Sequence, residues 1–336
     1  MVKEMTAKVQ KIEISYKTIV FTLLFLIVLW FLYQIRDILL LLFISLILVG
    51  ALNPIVNRLE KCHFPRWLAI ILIYLLLLGI FIIGIAGLIP TLIDQTSRLA
   101  QIVINWLDEV SYLGFSSGDL KNQIQELSGL PAQIFKLAVS IFSNILSLFA
   151  ILLVTFYLIL EHKNLDRYLF FLFGPEGKKK SKKLINRLER KLGGWVRAEL
   201  LLMTIIGLLS YLGFRLLNLR FALSLALLAG VLEIVPNIGP ILAAVPAVLI
   251  GFLGSPLTAL LVTAWAFLIQ QLENNLIVPR VMQKSAGVNP LITILTLAIG
   301  FKLAGVMGAI LAIPVYLAIE TLAIDFASSF KKPRNE

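Results

Sequence analysis

The feature that most constrains this chain is a run of apolar residues, 221–253, that polar residues and prolines interrupt near its middle. The interrupting residues are Glu233, Pro236, Asn237, Gly239 and Pro240. In a lipid bilayer a helix can be broken only where protein or a water-filled cavity satisfies the freed backbone groups. An acidic side chain beside such a break is by default a functional-site hypothesis. The sequence therefore predicts a membrane protein with a polar site at this break.

The composition supports that prediction. Of 336 residues, 59% are hydrophobic and 15% are charged, and the mean hydropathy is +0.94. Several uncharged apolar runs reach the roughly 20 residues that a bilayer-crossing helix needs, whereas a membrane barrel would show short segments of alternating polarity. We expect an all-α integral membrane protein with about eight hydrophobic segments.

Charge, cysteine content and motifs exclude several kinds of function. The formal net charge is +11, and the basic residues concentrate between apolar runs, as the positive-inside rule predicts for cytoplasmic loops. No aromatic stacking platform accompanies them, so nucleic acid is not an expected partner. The single Cys62 excludes an intrachain disulfide, and His63 and His162 form no recognised metal-site pattern. Because no catalytic signature is present, we expect no enzyme, no cofactor and no bound metal.

The N-terminal segment, 1–90, is predicted to hold a pair of closely spaced spans and a further one. The first two, 18–35 and 38–52, are separated only by Arg36 and Asp37. A tight helical hairpin is the favoured interpretation, and one long bent helix with a buried ion pair is the alternative. The basic loop after the second span should be cytoplasmic, which places the N-terminus there as well.

The middle of the chain alternates between spans and surface segments. Residues 91–136 form an acidic, amphipathic extracytoplasmic segment, either an interfacial helix or a packed connector. Residues 137–160 form a fourth span. The loop 161–199 is strongly basic and cytoplasmic, and its apolar spacing predicts an amphipathic helix over 181–197 that is interrupted at 193–194.

The remaining chain, 200–326, is predicted to be the transport core, followed by a cytoplasmic tail, 327–336. Full spans alternate there with overlong apolar stretches, in the order 200–219, 221–253, 256–278 and 290–326. The 33 residues of the second would extend about 50 Å as one helix, against a hydrocarbon core of about 30 Å. The break suits a re-entrant helical hairpin, and one full span with an extended end is the alternative.

The second overlong stretch, 290–326, resembles the first. Its interrupting residues are Gly300, Lys302, Gly305 and Gly308. A second re-entrant hairpin, with its tip near 301–308, would again solve the excess length. The sequence G-P-I-L-A-A-V-P from Gly239 is echoed by G-A-I-L-A-I-P from Gly308. Since only one crossing separates them, two hairpins would enter from opposite membrane faces as an inverted repeat; chance similarity is the alternative.

The polar residues of the core form a candidate site for a solute or a coupling ion. Glu233 and Glu273 are the candidate coupling groups, because a buried carboxylate can carry a proton. Gln270 and Asn274 share a helix face with Glu273, either inside the bundle or at headgroup level. Lys302 offers Glu233 an opposite charge, for transport or for structure alone. The full set is Glu233, Pro236, Asn237, Gly239, Pro240, Gln270, Glu273, Asn274, Lys302 and Gly305.

Four blocks in the last third of the chain resemble the signatures of the autoinducer-2 exporter family. They are E-I-V-P-N-I-G-P at 233–240, Q-Q-L-E-N-N-L-I-V-P-R-V-M at 270–282, K-S-A-G-V-N-P at 284–290 and G-V-M-G-A-I-L-A-I-P-V at 305–315. Membership implies a bacterial inner-membrane permease. Members are associated with export of the quorum-sensing signal autoinducer-2, and others with sodium or lithium/proton antiport. The family often has Gly where this chain has Asn274.

Residues and resemblance together predict a secondary transporter or permease that exports a small polar solute with ion coupling. A sodium(lithium)/proton antiporter is the first alternative, and a non-transport scaffold in envelope maintenance is the second. The expected partners are the lipid bilayer, the solute, a sodium ion or proton, and further copies of the chain. We expect a multi-pass protein of the bacterial inner membrane with both termini cytoplasmic. Substrate, coupling ion, direction and oligomeric state stay open.

Overall fold

The computed structural model describes residues 16–79, 145–282 and 289–330, and the regular structure in these ranges is helical. The helices are α1 Tyr16–Gln34, α2 Arg36–Lys61, α3 Arg66–Gly79, α4 Ile145–Glu161, α5 Leu165–Leu216, α6 Ala222–Leu232, α7 Ile238–Gly254, α8 Pro256–Leu272, α9 Val278–Met282 and α10 Pro290–Phe330. A 3₁₀ turn, His162–Asn164, precedes α5, and a π-helical turn, Glu273–Ile277, joins α8 to α9. The predicted segment 91–136 lies outside the described residues.

Helix length and apolar content confirm the predicted class of multi-span helical membrane protein. Four described segments are long and apolar enough to cross a membrane: Tyr16–Gln34, Arg36–Lys61, Leu146–Leu216 and Leu291–Ser328. Large apolar side chains are exposed along most of these helices, and α1 has no buried residue. Such surfaces are stable against lipid and not against water.

The chain divides into two compact units, residues 1–44 and 45–336. In the first, the amide of Ile35 donates to Phe31 O and the amide of Leu39 to Ile35 O, both at 3.0 Å. Helical hydrogen bonding therefore runs through the junction of α1 and α2, and the favoured hairpin is wrong. No Gly, Pro or Asn is present there to turn the chain. Arg36 and Asp37 lie 3.8 Å apart, but their side chains are 57% and 87% exposed, so the alternative's buried ion pair is wrong too.

In the second unit, α2 crosses α5 with the two backbones almost in contact. A Cβ atom on Gly50 would lie 2.8 Å from Glu189 O, and one on Gly193 would collide with Gly50 O. Pro54 has no N–H to donate to the Gly50 carbonyl one turn earlier, and Arg197 Nη1 donates to that carbonyl instead, at 2.8 Å. The crossing depends on two glycines and on this arginine.

The amphipathic helix predicted for 181–197 is not interrupted at 193–194, so that prediction is wrong. The glycine there allows the close approach of α2 instead of ending the helix. Helix α5 is kinked at Gly174, where φ is +66°, and then runs on to Leu216. The predicted amphipathic helix 181–197 and the predicted span 200–219 are therefore parts of one helix. Gly193 remains helical, and its missing side chain serves the approach of α2 rather than a break.

Helices α6 and α7 fold back on each other at the predicted break. Leu225 and Ala226 of α6 share a buried cluster with Ala247 of α7, although residues 22 positions apart would lie about 33 Å apart in one straight helix. Helix α6 also packs on α5, since a Cβ atom on Gly230 would lie 2.7 Å from Met203 O. The predicted interruption of 221–253 is confirmed, with a shorter first arm than expected.

Helix α10 also reverses, at Ala304 and Gly305, whose φ angles are −142° and +59°. Gly300 and Gly308 are in backbone contact, and a Cβ atom on Gly300 would lie 2.9 Å from Ala312 Cβ. In a straight helix, residues 12 positions apart are separated by about 18 Å. The predicted tip therefore coincides with a real reversal. The re-entrant placement of both elements in a bilayer, and their inverted repeat, stay predictions.

Candidate functional site

Glutamate side chains from three different elements are buried in the second unit. Glu199 of α5, Glu233 at the end of α6 and Glu273 at the start of the π turn are 3%, 1% and 2% exposed. Glutamate is almost never buried this fully unless it is paired. The chain therefore keeps an unusual concentration of acid groups in an apolar protein.

Glu233 and Glu273 form a carboxyl pair. Each of the two carboxyl groups lies close enough to interact with the other. An ionised carboxylate only accepts hydrogen bonds, so one member of a carboxyl–carboxyl hydrogen bond must carry a proton. Gln270 Nε2 donates to Glu273 Oε2 at 3.1 Å and orients that member. The pair can therefore hold and release a proton inside the protein.

The break between α6 and α7 positions Glu233. The Glu233 amide still donates to Ala229 O at 3.2 Å, but Pro236 has no N–H to continue the helix. Asn237 adopts φ +65° and ψ −38°, and the Ile238 amide donates to Pro236 O at 2.8 Å, so a γ-turn centred on Asn237 forms the break. A Cβ atom on Gly239 would collide with Leu232 O, so only glycine fits there. Pro240 stands in the first turn of α7, where no N–H is needed.

The π turn positions Glu273. Such turns insert an extra residue into a helix and are frequent at functional sites. Glu273 points into the protein, whereas Asn274 and Asn275 are exposed, and Asn275 Nδ2 donates to Gln271 O at 2.9 Å. The predicted common face is therefore correct for Gln270 and Glu273 and wrong for Asn274. The α-helical spacing used in the prediction does not hold through a π turn.

Glu199 was not among the predicted site residues. Both of its carboxylate oxygens, and Glu233 Oε2, are buried without a hydrogen-bond partner among the described residues. Its charge interacts with those of Glu273 and Glu233, so it lies near the pair. The sequence contained a signal that Glu199 is buried, because it falls at helical spacing within the apolar stripe of α5. That stripe is Leu192, Trp195, Glu199, Leu202 and Ile206.

Lys302 does not join the site. It is exposed on the first arm of α10, and within the described ranges no ion pair joins it to Glu233, so the alternative in which the two charges pair for structure alone is wrong. Gly305 forms the reversal of α10. Val235, from the first break, packs against Leu297, Ala309 and Ala312 of α10. The two interrupted elements therefore meet, but through apolar side chains.

The arrangement suits protons better than metal ions. Within the described ranges, no group of three or more His, Cys, Asp or Glu side chains is placed to hold a metal ion. The charges of the buried glutamates interact with one another. Such a cluster can move a proton between carboxyl groups, whereas a dehydrated cation needs several oxygen ligands at once.

Fold and site define this protein as a multi-span helical membrane protein with an acidic site beside a broken helix. The sequence pattern of the AI-2E family transporters matches residues 19–327, and the chain belongs to that family. The family resemblance noted from the four sequence blocks is thereby confirmed.

Two relatives show what kind of protein the family contains. YueF of Bacillus subtilis (strain 168), named as a candidate transport protein, is 26% identical over 317 residues, which cover 86% of this chain and 85% of YueF. The AI-2 transport protein TqsA of Escherichia coli (strain K12) is 25% identical over 297 residues, which cover 82% of this chain and 83% of TqsA. The likeness extends over most of each protein.

Proposed function

We propose that this protein is a secondary transporter that exports a small polar solute and couples the export to proton movement through Glu233 and Glu273. The observation that carries the proposal is the buried, interacting carboxyl pair beside the break between α6 and α7. Ionisable groups inside membrane proteins are costly and mark ion or substrate pathways. The general class of transporter follows from the family.

The pair supplies a simple coupling chemistry. With its shared proton the pair carries one negative charge, and binding a second proton makes it neutral. Since the cost of exposing or moving a buried group depends on its charge, the two protonation states favour different positions of α6 and α7. Proton binding from one side of the membrane and proton release to the other would then switch α6 and α7 between the two positions.

The solute is assigned by relationship. The name of TqsA states AI-2 transport, and we extend an autoinducer-2-like signal to this chain as the first substrate to test. The bacterial inner membrane, with both termini in the cytoplasm, is the proposed location. Two re-entrant hairpins in an inverted repeat would place the ends of α6, α7 and the arms of α10 near mid-membrane, where helix dipoles can bind polar groups.

The test uses inverted membrane vesicles that contain the full chain. A proton gradient is imposed across their membrane, and autoinducer-2 is added outside. We expect gradient-dependent uptake that falls by at least about tenfold in Glu233→Gln and Glu273→Gln, as for loss of a proton-transfer group. Glu176→Gln, which changes an exposed glutamate of α5, is the matched control and should transport normally. Uptake that persists in both pair variants would refute the proposed coupling.

Sodium(lithium)/proton antiport is the second candidate, because the same carboxyl pair could exchange a proton for a cation. In the same vesicles, sodium chloride is added without autoinducer-2. Proton movement that is lost in Glu233→Gln would favour antiport.

The envelope-scaffold alternative predicts no flux of any kind. Solute accumulation in a deletion strain, rescued by the wild-type chain but not by a Pro236→Ala/Gly239→Ala variant, would exclude it.

A further inference from the structure

A second polar region lies where the ends of α2 and α4 meet the start of α3. A cleft of about 500 Å³ opens there. It is lined by Asn57, Glu60, Lys61, Arg66, His162 and Lys163. The transport proposal uses none of these residues, and the cleft lies at helix ends rather than beside the carboxyl pair.

Arg66 forms the rigid floor of the cleft. Its guanidinium donates to Ile159 O at 3.0 Å and to Asn53 Oδ1 at 2.8 Å. It also donates to Asn57 Oδ1 and to Glu60 Oε2, both at 2.9 Å. These bonds tie together α2, α3 and α4. The side chain of Arg66 is only 9% exposed, so its position does not depend on a ligand.

The cleft carries more positive than negative charge. Among the described lining residues Glu60 is the single acidic group, and it is already shared between Arg66 and Lys163. Lys61 is exposed, and the Lys163 side chain is 60% exposed. His162 pairs with Glu189 at 2.9 Å at the edge. Lys61 and Lys163 can therefore both donate to an anion that enters the cleft.

The surroundings place the cleft at the level of lipid headgroups. Phe64 and Trp67 are exposed beside it, and aromatic side chains are enriched where membrane meets water. Next along α3, Ile71, Leu72 and Leu75 are exposed as on a lipid-facing surface. Because this loop is basic, the positive-inside rule assigns it to the cytoplasmic leaflet.

We propose that this cleft binds the phosphate of an anionic phospholipid of the inner leaflet. Lys61 and Lys163 donate to the phosphate oxygens above the floor that Arg66 forms. The acyl chains lie along α3 past Phe64 and Trp67. Glu60 competes with the phosphate for Lys163, so binding replaces one partner of that lysine by another.

The test is native mass spectrometry of the full purified chain after incubation with phosphatidylglycerol or phosphatidylcholine. We expect phosphatidylglycerol adducts on the wild type and about tenfold fewer in Lys61→Gln/Lys163→Gln, as loss of two phosphate-facing charges implies. The control, Lys179→Gln/Lys180→Gln, removes the same charge from exposed positions of α5 and should retain the adducts. Equal loss in both variants would show diffuse attraction and overturn the site.

Glu60→Gln gives a test of opposite sign. It keeps an oxygen for Arg66 but frees Lys163, so phosphatidylglycerol adducts should increase severalfold; a decrease would contradict the competition.

Millimolar inorganic phosphate separates the possible sources of the anion. If it displaces phosphatidylglycerol completely, the cleft binds soluble phosphate and the lipid assignment fails. Retained adducts support the lipid.

Discussion

The glutamate cluster and the Arg66 network are two polar regions in the same apolar protein, and they differ in how their hydrogen bonds are satisfied. Arg66 makes four hydrogen bonds of 2.8–3.0 Å to partners on α2 and α4. Glu199 has no hydrogen-bond partner for either oxygen among the described residues. A satisfied buried network stabilises a structure, whereas an unsatisfied one costs stability and needs another explanation. The difference supports a structural role for the Arg66 side chain and the proposed transport role for the glutamate cluster.

The largest expected effect is on stability, from Arg66→Ala. It leaves Asn53 and the Ile159 carbonyl without their donor and leaves Glu60 with Lys163 alone, at a cost of about 3 kcal/mol or more. We expect a clear drop in the melting temperature of the purified protein. Transport per folded molecule should stay near wild type. Lost transport at unchanged melting temperature would reverse the assignment of the two regions.

The second prediction concerns the α2–α5 crossing, which links the helices that carry the two regions. Gly193→Ala places a methyl group against the Gly50 carbonyl and should cost about 1–3 kcal/mol through overpacking. Gly79→Ala is the control, since among the described residues its Cβ atom would meet nothing within 4 Å. It should leave the melting temperature unchanged or slightly raised. Equal melting temperatures for the two variants would argue against the close crossing.

Glu199→Gln tests whether the third glutamate belongs to the functional region. The substitution keeps shape and removes the ability to ionise, so stability should change by less than about 1 kcal/mol. Because Glu199 interacts electrostatically with the pair, the pH dependence of transport should change, with a rate change of roughly threefold or more at fixed pH. Transport rates measured from pH 6 to 8 that superimpose on the wild type would make Glu199 a bystander.

The smallest effect is expected from Lys302→Gln. Lys302 is exposed and pairs with neither glutamate of the pair, so stability should change by less than about 0.5 kcal/mol. Proton-coupled uptake should also be unchanged. A large loss of uptake would place Lys302 back in the transport site and would restore the opposite-charge arrangement that the sequence suggested.

Much of the fold could be predicted because the decisive signals are local. Pro236 and Gly239 end one helix and permit the next whatever surrounds them, and the reversal at Gly305 follows from glycine's access to positive φ. The junction at Ile35 is the instructive failure. The adjacent charges Arg36 and Asp37 suggested a turn, but charge by itself does not break hydrogen bonding in a helix.

The site was predicted only in part, because a site depends on which helix faces meet. Glu233 and Glu273 were found as charges in apolar runs, but that they pair with each other could not be read from residues 40 positions apart. Asn274 was misplaced because it lies inside the π turn, which begins at Glu273 and alters the residue spacing that the prediction assumed. Glu199 was overlooked because the basic residues around it suggested a loop.

By itself, the sequence determined the membrane class, the family and the positions of the two chain reversals, since these follow from hydropathy and from the conformational limits of proline and glycine. Only the tertiary structure decided that Gly193 serves a helix crossing, that Lys302 is exposed and that Glu199 is buried near the carboxyl pair. Those outcomes depend on contacts between distant segments. The burial of each side chain is set by its neighbours in space, which local sequence does not specify.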